Sequence, residues 1–374
     1  MKLLIAGDFA PVRQFNSSFN ENLFDTFSLT KDHDFALLNL EAPLTNINLP
    51  IKKTGPNLSM DPRWARVIAE AGFNAVSLAN NHILDMGAEG LQETINHCTS
   101  AGLKYFGAGQ NIGEAIQPLI LEHNQVKIGL LALSEYEFTI ASETTAGAAP
   151  IDPIDNYYAI ENLKREVDKI ILILHAGNEF FPYPRPGLMK LCHYYVDLGI
   201  SGIVCHHAHV PLGYEVYNGS PIFYGTGNFY FPHKMIQKED WNRGYLVSLD
   251  FNNGSKPFMI YPYHFDDRGI GVLEKLDRTE FLQSLEQRSK VIEDEKLLAN
   301  KWEEFCRERS KSYIMSLITN NKIERFFFHR NLLTPKMFPR KLLLLLNYLR
   351  CDSHREALVT ILKQAAIPKK FHKG

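Results

Sequence analysis

Cysteine is scarce in this chain and poorly placed for cross-linking. Cys98, Cys192, Cys205, Cys306 and Cys351 are odd in number, and no two form a Cys-x-x-Cys pair. That excludes a disulfide framework and a thiolate zinc site. Long apolar runs are lacking too: nothing approaches the roughly 20 residues that span a bilayer, the leucine stretch 342–346 included. The opening MKLLIAGDFAP reaches Asp8 after an apolar run too short for a secretory signal. Positive charge is not in excess either. The 40 Lys and Arg face 42 Asp and Glu, a formal net charge of −2, which argues against nucleic acid as a partner. These absences predict a globular protein in a reducing, cytoplasmic setting.

The near-neutral total conceals an asymmetry. Residues 322–374 hold 12 basic against 3 acidic residues, whereas the first 321 hold 28 against 39. A basic tail follows an acidic body. At 374 residues the chain suffices for one large domain and an added segment.

Short apolar runs recur along the body, and each ends in a particular kind of polar residue. KLLIA leads to Gly7-Asp8, DFALLNL to Glu41, and NAVSLA to Asn80-Asn81-His82 with Asp85 just beyond. KIILIL leads to His175 and, four residues on, Glu179, while SGIVC leads to His206, His207 and His209. Runs of four to six residues rich in β-branched side chains read as strands buried on both faces. Helical signals lie between them: Asp61-Pro62 before RWARVIAEAG, then 87–102, 159–168 and 187–199. Segment 118–136 reads as two strands joined at His123-Asn124, and Asn218-Gly219 as a hairpin turn. The pattern predicts an α/β fold with a mixed, mostly parallel sheet flanked by helices over residues 1–265. A helical extension with a basic end is expected over 266–374.

In an open α/β sheet the carboxyl ends of parallel strands line a common crevice. Five strands that each deliver His, Asp, Glu or Asn at that end would bring distant residues into one pocket. Asp8, Glu41, Asn81, His175, His207 and His209 form a mixed nitrogen and oxygen donor set without thiolate. Such a set suits Mn, Zn or Fe and is generous for one ion. Two divalent ions sharing a carboxylate would fit it, an arrangement used for phosphoester hydrolysis. His82 is then a candidate general acid, since imidazole titrates near neutral pH. Arg185, with Tyr183 in FFPYPRPG, follows closely enough to grip a phosphate or carboxylate, and Tyr224 and Asn228 in FYGTGNF are candidate pocket residues.

The order GD, NLEAPLT, LANNHILDMG, HAGNE, HHAHV and PIFYGTGNF resembles the CapA family of capsule-synthesis and poly-γ-glutamate-synthesis proteins. That family is a branch of the calcineurin-like metallophosphoesterase superfamily. The resemblance covers about residues 1–265. It implies an α/β sandwich, with Asp8, Glu41, Asn81, His175, His207 and His209 as metal ligands. It also implies His82 as catalytic acid, Glu179 as a nearby catalytic carboxylate, and Asn80, Arg185 and Asn228 as substrate contacts. The superfamily opens with Asp-x-His, and here the third position is Ala10; Cys205 stands where a glycine is usual. The expectation is one or two divalent ions and hydrolysis of a phosphorylated or polymer-precursor substrate, amide hydrolysis being a further option of the same donor set. The alternative is a non-enzymatic accessory factor of a polymer synthase. The tail, with KMFPRKLLLLLNYLR, suits peripheral contact with a membrane or synthase, but packing of its leucines on the core is the simpler expectation.

Overall fold

The computed structural model describes residues 1–15, 19–233, 239–252, 257–266, 268–318, 322–330, 332, 334, 337–350, 358 and 362. The strands begin with β1 (Lys2–Phe9), β2 (Phe35–Leu40), β3 (Ala75–Ser77), β4 (Lys104–Phe106) and β5 (Ala108–Gly109). Then come β6 (Leu119–His123), β7 (Val126–Ser134), β8 (Gly147–Ala148), β9 (Lys169–His175) and β10 (Gly202–His206). The series closes with β11 (Tyr214–Tyr217), β12 (Ser220–Phe223), β13 (Asn228–Tyr230), β14 (Arg243–Asp250), β15 (Phe258–Asp266) and β16 (Gly269–Val272). Helices are α1 (Trp64–Glu70), α2 (Gly87–Ser100), α3 (Ile112–Ala115), α4 (Pro153–Leu163), α5 (Pro186–Asp197) and α6 (Lys275–Glu293). Three more follow, α7 (Glu295–Ile318), α8 (Lys322–His329) and α9 (Pro339–Arg350).

Two sheets form the body. One runs β16-β15-β14-β1-β2-β3-β4 with β13 added beside β1, and the other runs β11-β12-β10-β9-β7-β6. Strands β1 to β4 are mutually parallel, as are β7, β9, β10 and β12, while the outer strands are antiparallel. Side chains alternate faces along a strand, and the core sorts accordingly. Leu3 and Ile5 of the first sheet share a cluster with Ile171, Ile173 and Val204 of the second, so the sheets pack face to face. Leu4 and Ala6 turn the other way, onto α1 and α2 through Trp64, Ile68 and Leu91. Ile170, Leu172 and Leu174 turn onto α4 and α5 through Ile160, Leu188 and Tyr195. The result is helices, sheet, sheet, helices. Both hairpins occur where expected: Asn124 and Gln125 join β6 to β7, and Asn218-Gly219, both at positive φ, join β11 to β12.

Some expected elements are displaced. The helix expected at 159–168 is α4, which starts earlier because Asp152 caps it, accepting hydrogen bonds from the backbone N–H of Ile154 and Asp155. Asp61 instead accepts from the backbone of Arg63, and α1 begins at Trp64 after a turn. The chain divides into compact units Met1–Ala299 and Asn300–Gly374, so α6 belongs with the sandwich rather than with an extension starting at 266. Its Phe281, Leu285 and Ile292 join the two cores of the second sheet. In the second unit, Leu343, Leu344 and Leu346 of α9 are 65%, 50% and 45% exposed. Five consecutive leucines turn through every face of a helix, so one flank cannot hide them all. Lys336 lies outside the described residues. Among the described residues, no helix is long and apolar enough to cross a membrane.

Candidate metal centre

The carboxyl ends of β1, β2, β3, β9 and β10 meet at one end of the sandwich, and the two sheets supply equal shares. Asp8 lies near the end of β1, where Gly7 makes room. A Cβ on Gly7 would stand 2.0 Å from the carbonyl oxygen of Gly227, itself at positive φ. That approach lets the Asp8 N–H donate to the Gly227 carbonyl at 3.2 Å. Glu41 follows β2, and Asn81 follows β3 by a short loop. All three are buried.

From the second sheet, His175 ends β9, while His207 and His209 follow β10. His207 and His209 have φ of 84° and 58°, a left-handed conformation that side-chain-bearing residues seldom adopt and that tends to mark functional sites. The Asp8 carboxylate accepts from the His207 N–H at 3.1 Å, tying the strained turn to the other sheet.

The donors fall into two groups around Glu41. On one side, His175 Nε2 lies 3.0 Å from both Asn81 Oδ1 and His207 Nδ1. On the other, His209 Nε2 lies 3.4 Å from Glu41 Oε1, and its Nδ1 is 3.6 Å from Asp8. Glu41 Oε1 is 3.7 Å from His175 Nε2. Donor atoms of Glu41, His207 and His209 all lie within 4.8 Å of one another, close enough to hold one ion.

Burial sets the charge state. It pushes the His206 and His207 imidazoles down to about 3 and His209 to about 4, and holds His175 well below its ordinary value. The histidines are therefore neutral at neutral pH and carry a lone pair, as ligands must. Burial likewise raises Asp8 to about 7, against hydrogen bonds from Asn39 and His207 that lower it. Glu41 is pushed well above its usual range, first by burial and then by the charges of Asp8, Glu179 and Glu137. Both Glu41 oxygens are buried without a hydrogen-bond partner among the described residues. Buried polar groups are normally satisfied, so an orphaned carboxylate facing neutral imidazoles fits a divalent cation.

Neighbours aim the donors. Asn81 Nδ2 donates to Glu137 at 3.2 Å, which turns its oxygen toward His175. Asn228 Oδ1 accepts from His209 Nδ1 at 2.9 Å, the tautomer that leaves Nε2 as acceptor. Expected at a substrate pocket, Asn228 is instead fully buried, and its Nδ2 donates to the carbonyls of His209 and Trp241. Asn80 is also fully buried, bonding the Leu40 carbonyl and the His82 N–H. Tyr224 belongs to the core and donates to Glu215. His206 sits beside Thr226, its Nδ1 3.2 Å from the hydroxyl. Ala10, also buried, occupies the position where the resemblance leads one to expect histidine.

His82 stands at the edge of this group, its side chain 12% exposed. Its Nδ1 is 2.7 Å from Asp85, whose other oxygen pairs with the buried Lys53. Glu179 is exposed, near enough for its charge to favour the protonated form of His207. Arg185, about one third exposed at the start of α5, pairs with Glu135. Tyr183 is half-buried against Phe181. Sequence reasoning missed Asn39, Lys53, Glu135 and Glu137. Asn39 is the most central, donating to Asp8 at 2.7 Å with the same nitrogen 3.3 Å from His175 Nδ1. Only its inward place on β2 marked it, and a strand asparagine looks like any polar interruption.

A family model described as bacterial capsule synthesis protein PGA_cap matches residues 2–233, which contain every candidate ligand. The chain is 29% identical over 253 residues to the capsule biosynthesis protein CapA of Bacillus anthracis, covering 65% of this chain and 57% of that protein. It is 29% identical over 234 residues to the PGA biosynthesis protein CapA of Bacillus subtilis, covering 61% of each. The chain thus spans less than two thirds of the length of these relatives. Among solved structures, a putative 5′-nucleotidase from Staphylococcus aureus in complex with alpha-ketoglutarate aligns with a TM-score of 0.43 and 13% identity, over 76% of this chain and 58% of that one.

Proposed function

The chain belongs to the bacterial capsule synthesis protein family, and on that premise we propose that it is a metal-dependent hydrolase of the phosphoester type, acting in the making of a surface polysaccharide or poly-γ-glutamate polymer. One observation carries the reading: the two orphaned oxygens of Glu41, buried among neutral imidazoles from both sheets. Asp8, Glu41, Asn81, His175, His207 and His209 would hold one or two divalent ions, with Glu41, His207 and His209 the set whose donor atoms lie within 4.8 Å of one another. Such ions supply Lewis-acid neutralisation of phosphoryl charge and make water more acidic.

The chain's own residues do the remaining work. Asp85 accepts the Nδ1 proton of His82 and fixes its orientation, which leaves Nε2 to deliver a proton to the leaving oxygen. Lys53 pairs with Asp85, and its Nζ also lies 3.1 Å from His82 Nδ1, so one cation faces both members of the pair. Arg185 pairs with Glu135, and a phosphate group that displaced Glu135 would meet its planar pair of donors, while Glu179 acts by its charge on His207. The basic end of the chain adds a second contact, with an anionic membrane surface or a synthase.

The test is metal content together with turnover of aryl phosphate mono- and diesters, with and without added Mn. At least one equivalent of bound metal and Mn-dependent turnover are expected. Protein prepared without chelator that holds well under one equivalent, and takes up none when offered Mn or Zn, would overturn the reading. Ala10 favours a second reading, a non-enzymatic accessory of a polymer synthase, because the position is filled by a methyl group packed in the core. Full metal occupancy with no turnover of phosphoester or amide substrates would select it.

A further inference from the structure

Beside the metal centre the chain displays a group of aromatic rings that the core does not use. Segment 135–139 forms one wall of the site: the Glu135 N–H donates to the His175 carbonyl at 3.1 Å, Glu137 holds Asn81, and the Thr139 hydroxyl donates to the Asn80 carbonyl at 2.9 Å. Between these anchors Tyr136 and Phe138 point outward, 62% and 48% exposed. The Ile151 N–H donates to the Ser134 carbonyl at 2.8 Å and so brings the start of α4 alongside. There Tyr157 and Tyr158 are 39% and 63% exposed, their ring centroids 5.3 Å apart and nearly perpendicular. Burial raises the pKa of the Tyr136 hydroxyl, and Asp152 and Asp155 lie close enough to raise it further.

Exposed rings grouped in this way are costly unless something covers them. The charge around them decides what. Glu135 and Glu137 alternate with the first two rings along the segment, and Asp152 and Asp155 lie near Tyr136, while the cations Arg185 and Lys53 are each paired with a carboxylate. A polyanion would be repelled from such a rim. A chain of sugar rings suits it, because the C–H faces of a pyranose pack on aromatic faces and carboxylates accept from its hydroxyls.

We propose that Tyr136, Phe138, Tyr157 and Tyr158 form a subsite that holds an uncharged, hydroxyl-rich glycan chain leading into the metal centre. Within the function proposed above, this selects polysaccharide over poly-γ-glutamate. It rests on that reading only for the direction in which the chain runs, since binding is measured without turnover. The experiment titrates the full chain with soluble malto-, cello- and chito-oligosaccharides and, separately, with poly-γ-glutamate, following tyrosine fluorescence and heat. Saturable binding of at least one oligosaccharide series is expected, with weaker or no binding of poly-γ-glutamate. Contacts between rings and flat partners are worth about 0.5–1.5 kcal/mol each, so Tyr136→Ala and Tyr158→Ala should each raise Kd about 2–10-fold. Both side chains are exposed, and an unchanged melting temperature verifies the fold. Turnover of a small aryl phosphate should be unaffected by either replacement. No saturable binding of any neutral series, poly-γ-glutamate binding as strongly, or variants binding glycan like the unaltered chain would each overturn the proposal. Loss of phosphatase activity in the unaltered chain would instead strike at the hydrolase reading and leave the glycan titration standing.

Discussion

Replacing Glu41 by Gln should stabilise the ion-free protein and destabilise the ion-loaded one. In the absence of a cation the Glu41 carboxylate has two buried oxygens without hydrogen bonds. Each unsatisfied buried group costs about 1–3 kcal/mol, so the ion-free fold carries about 2–6 kcal/mol of this burden. Glutamine keeps the shape, cannot ionise at any pH and offers a fixed N–H to His209 Nε2, which lies 3.4 Å from the present oxygen. If half the burden is relieved, melting rises by about 2–6 °C at about 2 °C per kcal/mol for a large domain. With Mn at 100 times its Kd, the unaltered chain gains about 2.7 kcal/mol, or about 5 °C, by mass action. Loss of the shared carboxylate should weaken affinity at least about 100-fold, and at the same Mn concentration the variant then gains about 0.4 kcal/mol or less. The variant's lead in chelator should therefore shrink by about 2.3 kcal/mol in Mn, and the two melting curves reverse their order wherever the relief is smaller than that. A variant that melts below the unaltered chain in chelator, combined with no shift of the unaltered chain in Mn, would refute the reasoning, because Glu41 would then be an ordinary buried acid.

Three further outcomes follow from the geometry. His82→Ala should retain its metal and lose turnover by about 10²–10⁴-fold, less on a nitrophenyl ester whose leaving group needs no proton; equal loss on good and poor leaving groups would make His82 structural. Asn228→Ala removes the acceptor that fixes the His209 tautomer and should cost about 10–100-fold in metal affinity by calorimetric titration, with turnover restored at high Mn. Binding of the full chain to anionic vesicles should fade as salt rises from about 0.1 M to about 1 M, where the Debye length falls from about 10 Å to about 3 Å. Charge reversal at Lys341 should weaken that binding further without changing turnover of a soluble ester, and absence of sedimentation even at low salt would remove the membrane role.

The sequence made the fold legible because its strands are short, apolar and β-branched, with helical stretches between them. The candidate donors were legible for a related reason: a histidine or carboxylate that abruptly ends such a run has no packing role to explain it. What escaped was anything whose role depends on a partner distant in the sequence. Asn39 looks like a polar interruption of DFALLNL, yet it bridges Asp8 and His175. Lys53 stands in a loop with no periodicity, and only tertiary folding buries it against Asp85. Asn80 and Asn228 were misplaced for the converse reason. Their amides could have faced a substrate, but the backbone around them had carbonyls and an N–H to satisfy.

The division of donors between the sheets also has a consequence in time. Asp8, Glu41 and Asn81 leave the ribosome in the first 81 residues, whereas the last of the three histidines is residue 209. At about 5–20 residues per second, about 130 residues of chain separate the two halves by about 6–25 s of synthesis. Until His175 is made, the nascent chain offers two carboxylates and an amide but none of the three second-sheet imidazoles of the site, a weak oxygen set of the kind that Mg or Ca would visit and leave. On the proposed reading, the complete donor set exists only once the second sheet has docked, so an ion would be chosen by the finished protein rather than by whichever cation the emerging peptide meets first.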